Sequence, residues 1–276
     1  MADEGERQPA LRIFSYLPNP RVYKALIAAE YGGIEVEVVG DKPSALADWL
    51  WDYDAHLLPA AQRQPGHPSA RVSRRGFAGT LYKTDAFMRT QPFGTVPCAF
   101  GPAGSVGIFE SNSILRAVAR LGDCLYGADA YTASRIDSFL DANLVFAREA
   151  QVYLLAMDAM SEAVYTRMAA AYEFYLAGVE NALGNGPWLA GKDLSIADIS
   201  FVCDFAQFLR EGHYEDSLAA AGYDLIGAQG AQRYPRAHQH MLALSELPEF
   251  ARHMGSYLDW YKRKMGQLHV GESATD

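Results

Sequence analysis

The stretch Phe93–Ile114 reads FGTVPCAFGPAGSVGIFESNSI, and its reading decides the fold. Val96, Cys98 and Phe100 alternate as one face of a strand does. A second apolar run follows at VGIF, with the Gly and Pro residues of GPAGS supplying the turn of a hairpin. Pro97 interrupts the first run with a residue that has no amide hydrogen to give, which places it at the start of an edge strand. An X-Pro bond takes the cis form at modest cost, and a cis bond here would turn the N–H and C=O of Val96 outward, ready to pair with an extended peptide. After the hairpin come Glu110 and Ser111, where a strand ends and a helix begins. The first turn of a helix presents unsatisfied amides and the positive end of its dipole, so it suits an anion. Ser111 can cap its own helix or give its hydroxyl to a ligand carboxylate, and Glu110 can hold a ligand ammonium. Together they match the two charged groups of an α-amino acid.

Upstream, LRIFSY (11–16) and IEVEVVG (34–40) read as strands. Between them NPRVYKALIAAEYGG reads as a helix, with Asn19 as N-cap, Pro20 in the first helical position and Gly32 as the stop. Such a unit implies two parallel strands and a right-handed crossover. With the hairpin and a helix from Ser111 to about Leu121, the first domain reads β-α-β, connection, β-β-α over residues 11–122. The connection, 41–82, is far longer than usual. Its ALADWLWDYDAHLL is expected to be helical and its RQPGHPSARVSRRG irregular, with Arg63, Arg71, Arg74 and Arg75 as solvated loop charges.

From Tyr131 the signals turn helical, with helices expected near 131–158, 161–183, 196–210, 233–246 and 248–264, so that 131–264 forms an all-α domain. Ser195 and Asp198 make a capping box, flanked by Leu194 and Ile199 in the staple positions. The helix that follows carries Ile199, Phe201, Val202, Phe205 and Leu209 nearly all round, which marks it as the core helix of that domain.

Composition narrows the function class. Lys and Arg total 24 against 33 Asp and Glu, a net charge of −9, which argues against nucleic acid or an anionic membrane as partner. The three cysteines, Cys98, Cys124 and Cys203, are far apart and are read as free thiols of a reducing compartment. MADEGERQPA has neither the basic start nor the apolar run of a signal peptide. No apolar run approaches a membrane span, and a cytoplasmic protein is expected. The polar ends 1–10 and 271–276 are expected to be disordered. The seven histidines lack metal-ligand spacing, His238 and His240 read as surface residues, and no metal is expected.

Strand-helix-strand, Val-Pro, a hairpin, Glu-Ser and a helical second domain together resemble the glutathione transferases, over Leu11–Gly40 and Thr84–Trp260. The likeness is strongest to the transferase-like domain of the gamma subunit of elongation factor one, in FSYLPNPRVYKALIAAEYGG, FGTVPCAF, FESNSI, LSIADISFVCDF and YPRAHQHMLALSELPEF. The resemblance implies a thioredoxin-like first domain that binds glutathione as co-substrate. Val96 and Pro97 would pair with its cysteinyl backbone, and Glu110 and Ser111 would bind its γ-glutamyl end. It also implies a homodimer and a hydrophobic small-molecule acceptor.

The implied reaction uses the glutathione thiolate on a hydrophobic electrophile by conjugation, dehalogenation or ether cleavage. That requires a donor which lowers the thiol pKa from about 8.5 toward neutrality. Family members place it just after the first strand, and here Tyr16, Asn19 and Ser15 are the candidates, in that order. The alternative is a non-catalytic interaction module of the elongation-factor gamma type.

Overall fold

The computed structural model describes residues 8–73, 77 and 79–272, the last nine of these as backbone alone. The expected disorder at 1–7 and 273–276, and the expected roles of Arg74 and Arg75, lie outside the described residues. The chain divides into two compact units between Cys124 and Leu125.

The first unit begins with β1 (Leu11–Tyr16), α1 (Pro20–Gly32) and β2 (Val36–Asp41). Asn19 caps α1, its Oδ1 accepting from the Arg21 N–H at 3.0 Å, and Pro20 starts the helix. The helix ends at Gly32, as the sequence suggests, and is capped by Gly33, whose φ of 61° is the left-handed conformation that glycine adopts without steric cost. β1 and β2 pair in parallel, Leu11 with Val36 through Tyr16 with Asp41.

The 41–82 segment overturns the expectation of a helix followed by an irregular loop. After a 3-10 turn at Pro43–Asp48 it forms β3 (Trp49–Trp51), β4 (His56–Leu57), β5 (Ala70–Val72) and β6 (Thr80–Lys83). These make a second sheet in the order β4-β3-β6-β5. Trp49-Leu50-Trp51 suits an alternating strand, and Asp52 and Asp54 are weak helix formers. Trp51 is fully buried, its ring edge-on to Phe14 and Phe87 and its indole N–H donating to Leu46 O at 2.9 Å. With Phe14, Leu46, Leu81, Phe87, Cys98 and Phe100 it forms one core shared by the two sheets. Arg63 and Arg71 are not free loop charges either. Arg63 pairs with Asp48 at 2.7 Å and donates to Leu58 O; Arg71 pairs with Asp85 and donates to Lys83 O at 3.0 Å.

A helix absent from the sequence reading, α2 (Asp85–Thr90), leads to β7 (Cys98–Phe100), β8 (Gly107–Phe109) and α3 (Ser111–Leu121). The first sheet runs β2-β1-β7-β8. β7 is therefore an inner strand, and the expectation that Pro97 opens an edge strand is corrected. The ladder starts at Cys98, one residue after the proline, so the missing N–H removes no sheet hydrogen bond.

The second unit contains α4 (Ala130–Leu155), α5 (Glu162–Asn185), α6 (Ile196–Phe208), α7 (Glu215–Ala220), α8 (Gly230–Arg233), α9 (Pro235–Ser245) and α10 (Pro248–Glu272). α7 and α8 are short enough to escape a periodicity reading, and α10 continues through Gly271 and Glu272, which the sequence places in a disordered tail. α6 is the core helix, with every residue but Gln207 buried and α4 packed along it. Among the described residues, no helix is long and apolar enough to cross a membrane.

Candidate functional site

Strand register brings three segments to one end of the first sheet. Phe14 of β1 lies opposite Cys98 of β7, and Cys98 lies opposite Phe109 of β8. Ser15 and Tyr16, Val96 and Pro97, and Glu110 each adjoin these paired residues in sequence and so leave the sheet at the same end. The C-terminal end of β1, the entry to β7 and the start of α3 thus form one rim. Val96–Pro97 is cis, as is Leu17–Pro18, a bond the sequence reading did not single out. Val96 is half-buried and Pro97 buried.

At the start of α3, Glu110 occupies the N-cap position without a side-chain capping bond, and it is exposed. Its φ of 64° with ψ of 127° is a conformation that residues with a Cβ rarely adopt, and it costs on the order of 1–3 kcal/mol. Ser111 is the first helical residue rather than the cap. Its Oγ accepts from Lys24 Nζ at 3.3 Å, and Asn112 Oδ1 accepts from the same nitrogen at 2.8 Å. All three side chains are buried, with Lys24 wholly so.

Lys24 is a site residue that sequence reasoning missed. The signal was present: it stands one turn after Pro20 and one before Ile27 and Ala28, all buried, so a lysine occupies the inward stripe of α1. A basic nitrogen is thereby held beneath the first turn of α3, whose own dipole already favours an anion.

The three candidates for thiol activation separate by environment. Ser15 and Asn19 are wholly buried, and Asn19 Nδ2 donates to Ser15 Oγ at 3.0 Å while its Oδ1 serves the helix cap. Tyr16 is half-buried against the aromatic core, the one candidate that solvent reaches. Two of the protein's own thiols are not activated: burial pushes the Cys98 thiol far above its ordinary range and raises that of Cys124 as well.

The segment leading into Val96 is clamped from two sides. Buried Gln91 donates from Nε2 to Thr95 O at 2.8 Å and accepts from the Gly94 N–H at 2.7 Å. Lys83, from the second sheet, donates to Gly94 O at 2.6 Å and lies 4.6 Å from the centre of the Trp51 ring. Burial, and then the charge of Arg71, lowers the Lys83 pKa.

The capping box of α6 is a separate construction. Asp198 is wholly buried and accepts from Ser195 N–H, Ser195 Oγ and Leu189 N–H, each at 3.0 Å, and it meets His240 Nε2 at 2.9 Å. His240 and His238 are therefore not surface residues. α9 turns both inward, and burial lowers the His238 pKa to about 4. Among the described residues no cluster of His, Cys, Asp and Glu is arranged to hold a metal ion.

No family model matches the chain. Over 199 residues it is 26% identical to a glutathione S-transferase-like protein, LUC7, of Fusarium, a match covering 70% of this chain and 74% of that one. Over 204 residues it is 28% identical to a probable elongation factor 1-gamma 1 of Arabidopsis thaliana, covering 71% of this chain but 40% of the relative. The chain thus matches about two fifths of that elongation factor. Among solved structures, a glutathione S-transferase of Methylobacillus flagellatus with GSH bound superposes with a TM-score of 0.60 at 16% identity, over 88% of this chain and 98% of that one. The chain has the glutathione S-transferase fold, a thioredoxin-like unit followed by a helical one, and its relatives in sequence are glutathione S-transferase-like proteins and elongation factor 1-gamma chains.

Proposed function

We propose that the protein binds glutathione at the rim formed by β1, β7 and α3 and uses its thiolate on a hydrophobic electrophile. The observation that carries this reading is the start of α3. An exposed Glu110 in a rare backbone conformation sits beside a buried Ser111 backed by Lys24. The γ-glutamyl carboxylate meets Ser111, the first-turn amides and the nearby basic nitrogen, while Glu110 takes the ammonium. Val96 pairs with the cysteinyl backbone, next to Pro97. Tyr16 then lies at the end of β1 where the sulfur arrives, and its hydroxyl donates to the thiolate; Ser15 and Asn19, bonded to each other, hold the turn that presents it. Glutathione is the co-substrate and no metal takes part. The protein works as a cytoplasmic homodimer.

A second reading has a specific observation in its favour. Two of the three candidate donors are sealed from solvent, and the relatives include elongation factor 1-gamma chains, so the fold can serve as a binding module without turnover. Glutathione titration by calorimetry, paired with a conjugation assay using an activated aryl chloride, separates the two. Binding with turnover supports the enzyme; binding without turnover selects the module. No binding at millimolar glutathione rejects both.

A further inference from the structure

Lys24 stands on the inward face of α1, which packs against α3. Its Nζ donates to Ser111 Oγ at 3.3 Å and to Asn112 Oδ1 at 2.8 Å, across 87 and 88 residues of chain. Burying an ammonium is costly unless hydrogen bonds compensate it, and an apolar residue at this inward position would pack without that cost. The fold nevertheless keeps a lysine there, and aims it at the two residues that open α3.

Chemistry fixes the direction of these bonds. An ammonium carries donors and no acceptor, so both oxygens must accept from it. A serine hydroxyl has a single proton, and with Lys24 on its acceptor side that proton points away from the nitrogen. Among the described residues no group accepts it. The Asn112 amide is fixed in the same way, with its oxygen toward Lys24. Ser111 is the first residue of α3 and not its cap, so its hydroxyl is not consumed in closing the helix.

Exposure divides the pair. Ser111 retains 8% of its surface and Lys24 none, so the serine is the member that a ligand reaches. What it offers is an O–H donor already polarised by a positive charge behind it, beside the first-turn amides of α3 and the positive end of its dipole. All of these suit a group that only accepts, as a carboxylate does. With the ammonium gone, the hydroxyl is free to turn its proton inward and present its lone pairs, which repel a carboxylate.

We propose that Lys24 is a positioning residue, which holds the Ser111 hydroxyl with its proton outward and so sets the start of α3 to take a carboxylate. This role rests on the glutathione reading above and sharpens it: the basic nitrogen exerts its effect through Ser111. The test is a double-mutant cycle. Glutathione is titrated by calorimetry into the full chain as wild type, Lys24→Met, Ser111→Ala and the double variant, with near-ultraviolet circular dichroism confirming that each is folded. Lys24→Met should weaken binding at least tenfold in the wild-type background. In Ser111→Ala the same change should weaken it less than threefold, because the hydroxyl that Lys24 orients is already absent. Lys24→Gln, which keeps an N–H donor but no charge, should bind between wild type and Lys24→Met, and it runs the same cycle if Lys24→Met does not fold. A lysine that only stabilised the first unit would weaken binding equally in both backgrounds, and that equal loss overturns the proposal, as does unchanged affinity in Lys24→Met. A wild-type protein that fails to bind glutathione at millimolar concentration rejects the glutathione reading itself, and the role of Lys24 with it.

Discussion

The chain places a serine and an acid at the starts of α3 and of α6, and these two pairs are built to opposite ends. At α6, Asp198 is wholly buried and every partner it accepts from belongs to the same unit; Ser195 returns the bond, and nothing is left over for a ligand. At α3, Glu110 faces solvent without capping anything, its backbone adopts a costly conformation, and Ser111 turns to Lys24 instead of closing its own helix. Saturation marks a folding device. An exposed acid on a strained backbone, beside a buried basic nitrogen, is what we propose a ligand completes. Sequence spacing already hints at the difference, since Ser195 and Asp198 stand three apart as a capping box requires while Glu110 and Ser111 are adjacent.

The largest effect expected from breaking this contrast is at α6. Asp198→Ala strands the buried Leu189 and Ser195 amides, the Ser195 hydroxyl and His240, so unfolding free energy should fall by roughly 3–5 kcal/mol in urea denaturation. Glutathione affinity of the folded fraction should be unchanged. A stable variant that has lost glutathione binding would show that the box belongs to the site after all.

At α3 the same kind of truncation should do the reverse. Ser111→Ala removes one acceptor from Lys24, which keeps Asn112, so stability should fall by about 1 kcal/mol or less. Glutathione affinity should fall by about 1–3 kcal/mol, the range for losing a hydrogen bond to a charged group. Calorimetric titration and thermal melting of the one variant give both numbers, and intact affinity would leave Ser111 a structural residue.

The two sheets of the first unit show how far the sequence could be read. β1 and β2 are six residues each, and a capped helix with Pro20 at its start joins them, so period and caps all agree. The strands of the second sheet are two to four residues long, too short for a period to declare itself. What folds them is the burial of Trp51 against Phe14 and Phe87, a long-range contact that local pattern does not encode. The site divides in the same way. Val96, Pro97, Glu110 and Ser111 lie in one contiguous stretch with turn and cap signals. Lys24 and the Lys83–Gly94 contact depend on pairings across 87 and 11 residues, which register and packing alone create.

A smaller effect is expected at the end of β1, where the comparison is among neighbours. Tyr16→Phe should raise the apparent pKa of bound glutathione, followed as thiolate absorbance, by about one unit, equivalent to about 1.4 kcal/mol. Ser15→Ala and Asn19→Ala, which disturb a buried pair, should lower the melting temperature and leave that pKa within a few tenths of the wild-type value. A depressed pKa that persists in Tyr16→Phe would move the donor role to a backbone amide.

Glu110→Gly should give a small change in stability and the clearest sign. Glycine has no Cβ, so it takes φ near 64° without the steric penalty that glutamate bears, and no capping bond is lost, because the Glu110 side chain makes none. The gain is offset in part by the extra freedom of glycine in the unfolded chain, which costs about 0.5–1 kcal/mol. The net expectation is a stabilisation of about 1 kcal/mol in urea denaturation, together with weaker glutathione binding as the partner for the ligand ammonium disappears. Asp198→Gly at the other pair can only lose stability, since its carboxylate is fully used. A Glu110→Gly protein that is less stable than wild type would mean that Glu110 serves the fold as Asp198 does, and the distinction between the two helix starts would fall.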